Sequence, residues 1–184
     1  LRQQLSQYSE LMVHEGDALK TDFDLFTRGK KIRVVGNLPY NISTPLLFHL
    51  FDQSHLIEDM HFMMQREIVD RLTAEPRSKN YGRLSVMTQY HCRVTPLISV
   101  SSSAFRPVPK VESAFIRLEA YSQKPWIAIC ETFFGKVVNT CFQHRRKTLR
   151  NCLIFFKPKI DELHDFVDLS QRPEELTVAD FVKL

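Results

Sequence analysis

Glycine is scarce in this chain. There are five in 184 residues, and none stands in a Gly-x-Gly-x-Gly turn of the kind that cradles a nucleotide. The four cysteines, Cys92, Cys130, Cys141 and Cys152, form no Cys-x-x-Cys pair. His144 follows Cys141 by three residues, but no second ligand pair accompanies them, so free thiols in a reducing cytoplasm are expected and no metal site is. No apolar run approaches the ~20 residues of a membrane-crossing helix, and no signal peptide stands at the start. Neither sign of charge dominates: the net charge is +4, which permits a nucleic-acid partner without demanding one. The chain begins at Leu1 rather than Met, so its natural start is expected to lie upstream. What remains, 43% hydrophobic and 25% charged residues, is the composition of a globular protein with a real core.

The most informative stretch is Val34-Val35-Gly36-Asn37-Leu38-Pro39-Tyr40-Asn41-Ile42-Ser43-Thr44-Pro45. Ile32, Val34 and Val35 form a β-branched run that predicts a buried strand, ended by Gly36. Ser43 is placed to cap a helix and Pro45 fits its first turn. Leu46, Leu47, Leu50 and Phe51 then recur at helical spacing. Asn37 to Tyr40 therefore sits at the carboxyl end of a strand, where open α/β sheets bind ligands. The residue types suit a particular chemistry. The amine of an adenine is a poor nucleophile because its lone pair is delocalised into the ring. The Asn37 side-chain oxygen and the Leu38 carbonyl can each accept one of its hydrogens, which frees that lone pair. Pro39 fixes the turn, and Tyr40 offers a face on which a base can stack.

The string Asn37 to Pro45 resembles a motif of the KsgA-type rRNA adenine dimethyltransferases. Three further stretches resemble the same family, in the family's order: Tyr81-Gly-Arg-Leu-Ser-Val86, Phe105-Arg-Pro-Val-Pro-Lys-Val-Glu-Ser113 and Phe142-Gln-His-Arg-Arg-Lys-Thr-Leu-Arg-Asn151. The resemblance covers essentially the whole chain. It implies an α/β Rossmann-like methyltransferase sheet over residues 1–121, lacking its first two strands, and a small all-helical, RNA-contacting domain over 122–184. It further implies S-adenosylmethionine as methyl donor, with Asp17 and Asn37 on the cofactor side and no metal. The implied substrate is a pair of adjacent adenines near the 3′ end of small-subunit rRNA, in the 30S particle. Phe105 is implied to pack against the target adenine. A cytoplasmic monomer taking part in ribosome biogenesis completes the expectation.

The remaining chain is read from pattern. Residues 1–10 predict the end of a helix, and Leu11 to His14 a short strand leading to Asp17. Phe23, Leu25 and Phe26 are expected to tuck in along a polar connection. Met60 to Met64 reads as a buried parallel strand, Gln65 to Leu72 as a helix, and Glu75 to Asn80 as a mobile basic loop. Leu84 to His91 predicts another helix. Arg93 to Val100 and Ser113 to Leu118 predict an antiparallel hairpin at the sheet edge. From Trp126 and Ile127 through Cys130, Phe134, Val137, Val138 and Cys141, the spacing predicts a long amphipathic helix. Arg145, Arg146, Lys147 and Arg150 beyond it make a candidate phosphate-contacting patch. The acidic end, with a last helix within Glu174 to Leu184, is expected to face away from RNA. Three alternatives stay open: a large-subunit rRNA methyltransferase, a DNA adenine methyltransferase, or a binding factor that uses the scaffold without catalysis.

Overall fold

A computed structural model describes residues 2–5, 7–39, 41–156, 163 and 165–184. Four strands form one mixed sheet in the order β1-β2-β4-β3. β1 (Ile32–Asn37) lies parallel to β2 (Ile57–Gln65), and their crossover carries helix α3 (Ser43–Asp52). β4 (Ser113–Ala120) runs antiparallel to both β2 and β3 (Cys92–Val100), which forms the edge as expected from sequence. The short α1 (Arg2–Leu5) and α2 (Asp24–Thr27) precede the sheet, while α4 (Arg66–Leu72) and α5 (Arg83–His91) link β2 to β3.

Strand alternation sorts the sheet into two faces. On one, Met60, Phe62 and Met64 of β2 and Ala114, Ile116 and Leu118 of β4 are buried, and they pack against Leu47, Leu50 and Phe51 of α3 and Leu72 of α4. On the other lie Arg33, Val35, Asp59, His61 and Arg117, and Val35 is 65% exposed. The apolar run at Met60 thus belongs to a strand covered well on one face only. A second core gathers Phe134, Val137, Val138 and Cys141 of α6 (Glu131–Gln143), Leu149 and Cys152 of α7 (Leu149–Leu153), and Phe181 of α8 (Val178–Lys183). Tyr81, Val86, Met87 and Tyr90, at and just before α5, complete it. The last strand ends at Ala120, but the helical part shares its core with α5.

Several sequence expectations fail here for identifiable reasons. Residues 11–14 form no strand, because no neighbouring strand among the described residues supplies their ladder hydrogen bonds; Leu11 and Met12 are 50% and 57% exposed. Leu25 does not tuck in: it lies on the outer side of α2 and is 73% exposed. The amphipathic helix starts at Glu131, not at Trp126. Lys124 is held to Glu131 by an ion pair and the Ala128 amide donates to the Tyr90 hydroxyl at 3.2 Å, so tertiary contacts override the local periodicity and leave Ile127 at 77% exposure. The 75–80 loop is pinned rather than loose, since the Arg77 amide donates to the Glu174 carbonyl at 2.7 Å.

Candidate active site

β1 extends through Gly36 to Asn37, two residues further than the apolar run suggests. Asn37 pairs with Met63, and the Leu38 amide continues the ladder by donating to the Met63 carbonyl at 3.1 Å. Leu38 turns inward and is 7% exposed. It fits closely beneath Gly36, where an added Cβ would meet Leu38 Cδ2 at 3.3 Å. With Leu38 anchored in the core, the chain leaves the sheet at Pro39. The Pro39 carbonyl then accepts from the Ile42 amide at 3.1 Å and from the Ser43 hydroxyl at 2.9 Å. Ser43 therefore does not cap α3. It occupies the first helical position behind Ile42, and its buried hydroxyl ties the helix start back to the turn. Tyr40 lies outside the described residues.

Across from this turn stands the segment between β3 and β4. Phe105 follows a single 3₁₀ turn, Ser102–Ala104, and donates its amide to the Ser102 carbonyl at 3.2 Å. Asn37, Leu38 and Pro39 share one cavity of about 310 Å³ with Phe105, Arg106, Pro107 and Pro109. That volume is at the lower end of small-ligand sites, room for a single base but not for a duplex. The exposed Asn37 side chain has no hydrogen-bond partner among the described residues, so its oxygen is available to an incoming amine. Two stretches singled out separately from sequence thus meet. Arg106, Pro107 and Pro109 were visible there only as neighbours of Phe105.

Asp17 does not line this cavity. Without the expected strand before it, it sits in a turn. Its Oδ1 accepts from the Leu19 amide at 3.0 Å, and Oδ2 lies 4.0 Å from Lys20 Nζ. Both acceptors stay near the surface.

The cationic patch divides. α6 ends at Gln143 and α7 begins at Leu149, so Arg145, Arg146 and Lys147 occupy a turn rather than a helix face. Arg145 is committed inside the molecule. It pairs with Glu174 and donates to the Lys79 carbonyl at 3.2 Å and the Ser78 carbonyl at 3.5 Å. Glu174, from the acidic end, therefore packs against this turn. Arg146, Lys147 and Arg150 are exposed.

Behind the site, a buried carboxylate fastens β1 to the sheet. Asp59 of β2, 1% exposed, accepts from Arg33 Nε at 2.6 Å and Nη2 at 2.8 Å, and from Arg117 Nη2 at 3.2 Å. The Arg33 hydrogen bond foremost, against the opposing effect of burial, holds the Asp59 carboxyl below its ordinary range.

A crossover helix over a mixed sheet, with an Asn-Leu-Pro turn and an aromatic loop closing one cavity at the carboxyl end of β1, defines an α/β methyltransferase fold. The family described as ribosomal RNA adenine dimethylase matches residues 1–184, and the chain belongs to it. The ribosomal RNA small subunit methyltransferase A of Chromohalobacter salexigens is 50% identical over 192 residues, covering 100% of this chain and 67% of that relative. Its namesake from Pseudomonas aeruginosa is 51% identical over 180 residues, covering 96% and 66%. The chain thus spans about two thirds of the length of these relatives. Among solved structures, a dimethyladenosine transferase from Plasmodium falciparum is similar with a TM-score of 0.78 at 27% identity, over 99% of this chain and 74% of that one. The 23S rRNA methyltransferase ErmE shares the fold at a TM-score of 0.68 and 22% identity, over 99% and 73%. No helix among the described residues is long and apolar enough to cross a membrane.

Proposed function

We propose that the protein, at the full length of its relatives, transfers methyl groups from S-adenosylmethionine to N6 of two adjacent adenines near the 3′ end of small-subunit rRNA. It acts on the 30S particle during ribosome biogenesis, as a cytoplasmic monomer. The observation that carries this reading is the single cavity shared by Asn37–Pro39 and Phe105. Small-subunit relatives at about half identity favour it over the large-subunit alternative, whose structural counterpart is 22% identical.

The residues fit that chemistry. The bound cofactor supplies an electrophilic methyl group. Asn37 Oδ1 and the Leu38 carbonyl accept the two N6 hydrogens, which turns the nitrogen lone pair out of conjugation and toward the methyl group. Phe105 stacks on the adenine ring. The Pro39 carbonyl, held by Ile42 and Ser43, fixes the turn in the geometry this requires. Asp17 presents carboxylate oxygens at the surface, suited to accept from the amine of the cofactor. Residues 1–121 hold the part of the catalytic unit described here, and 122–184 contact the particle through Arg146, Lys147 and Arg150. Arg145 supports that surface from behind.

The test is methyl transfer from labelled cofactor to unmethylated small-subunit particles. Dimethylation at two adjacent adenines is expected. Label in large-subunit rRNA instead, or particle binding with no transfer, would select one of the alternatives.

A further inference from the structure

One charged side chain on the wall of the cavity has no part in the scheme above. Arg106 follows Phe105 directly, is exposed, and has no ion-pair or hydrogen-bond partner among the described residues. It differs in this from Arg66, at the carboxyl end of β2, which is engaged by Asp70 at 2.9 Å and by Ser99 at 2.8 Å. It differs also from Arg33 and Arg117, both held by Asp59. The cavity it borders is otherwise made of an amide, two aliphatic or aromatic side chains and three prolines. Those groups suit a neutral base and leave nothing to meet the charge that every nucleotide carries beside its base.

The geometry points to Arg106 as the group that holds a backbone phosphate next to the target adenine, an inference that rests on the function proposed above. A guanidinium presents a planar fork of donors that matches a phosphate and stays charged at any physiological pH. Its place in the sequence matters as much as its charge. Phe105 and Arg106 leave the same short segment, so one registers the base and the other the strand that carries it. The substrate class narrows accordingly: the site takes an adenine within a phosphodiester chain and discriminates against adenosine alone. Arg106 is thus a specificity-determining residue, separate from the groups that activate N6.

The test uses the protein at its full natural length and a short RNA with two adjacent adenines. A second RNA carries uncharged methylphosphonate linkages on either side of those adenines. Wild-type protein should bind the phosphate form about tenfold more tightly. R106Q should bind both forms alike, at the wild-type affinity for the neutral RNA, with an unchanged thermal midpoint and unchanged S-adenosylmethionine affinity. R106K, a point charge without the fork, should restore part of the preference. On small-subunit particles, R106Q should raise KM with kcat held, and should flatten the salt dependence of binding by about 0.7–0.9. An R106Q protein that keeps the full preference for phosphate overturns the assignment while leaving the proposed function standing. A wild-type protein that methylates no unmodified particle overturns both.

Discussion

In the function proposed above, Asn37 concentrates the chemistry in one side chain. Removing one preorganised contact to the reacting group typically costs ~10²–10³ in rate. We therefore expect Asn37→Ala to lose transfer to that extent, with an unchanged unfolding curve. Phe105→Ala should weaken engagement of the base by about 1–3 kcal/mol, read as particle affinity at constant cofactor affinity. A fall in cofactor affinity alone would place Phe105 elsewhere. At this scale much was legible. Asn37, Leu38 and Pro39 are consecutive and lie at the carboxyl end of the strand where the pattern puts them, and the link to Phe105 was available through resemblance. The fate of Arg145 was not legible. Its partner Glu174 lies 29 residues further along the chain, and only the folded turn brings them together. Charge in a sequence names a side chain that can meet phosphate, not one that is free to do so.

Among the elements, β1 matters most, because it delivers Asn37, and it is secured to the sheet through Asp59. That carboxylate is held below its ordinary pKa by Arg33 and Arg117 despite burial. A depressed carboxyl stabilises the fold above its unfolded pKa of ~3.9, and the contribution is lost as pH falls through the lower folded value. Asp59→Asn should thus lower the urea midpoint at pH 7 and make progressively less difference in acid, as pH falls through the lowered folded-state pKa and both proteins come to carry a neutral group. An equal deficit at pH 7 and in acid would mean that shape rather than charge was lost.

The elements the sequence misplaced share one cause. Residues 11–14 have strand-like composition but no partner strand among the described residues. Trp126 and Ile127 have helical spacing, but Lys124 and Ala128 are tied to Glu131 and Tyr90. β4 and α5 were legible because their own patterns agree with their packing, and β2 was placed as a strand although only one of its faces is well covered.

The molecule as a whole is two cores joined at α5, and His91 sits at the join. Its ring stacks on Phe51 of the sheet core at 5.2 Å and meets Tyr90 of the helical core edge-on at 5.0 Å. Burial, and then the nearby Lys124 cation against a smaller opposing effect of Glu131, pushes its pKa down to about 4. Between about 6.5 and 4 the unfolded chain binds a proton that the folded one refuses, so stability falls as pH drops through that window. The slope should approach about 1.4 kcal/mol per pH unit. His91→Phe, which keeps an aromatic ring in the stack, should remove that part of the slope. An unaltered pH profile would show that His91 is not what couples acid to stability.

The surface proposed to face RNA belongs to this scale as well. Charge reversal at Arg146 and Lys147 should flatten the salt dependence of particle binding by about 0.7–0.9 per lost phosphate contact. Arg145→Ala should act differently, loosening the 75–80 loop and raising its amide exchange.

The central claim is that the turn at Asn37, closed by Phe105, is where an adenine amine receives a methyl group. The most direct measurement is transfer of labelled methyl from S-adenosylmethionine to unmethylated small-subunit particles, by wild type and by Asn37→Ala at matched particle occupancy. The account predicts dimethylation of two adjacent adenines by wild type, and a loss of ~10²–10³ in rate at unchanged particle affinity in the variant. Wild-type rates from Asn37→Ala would contradict it.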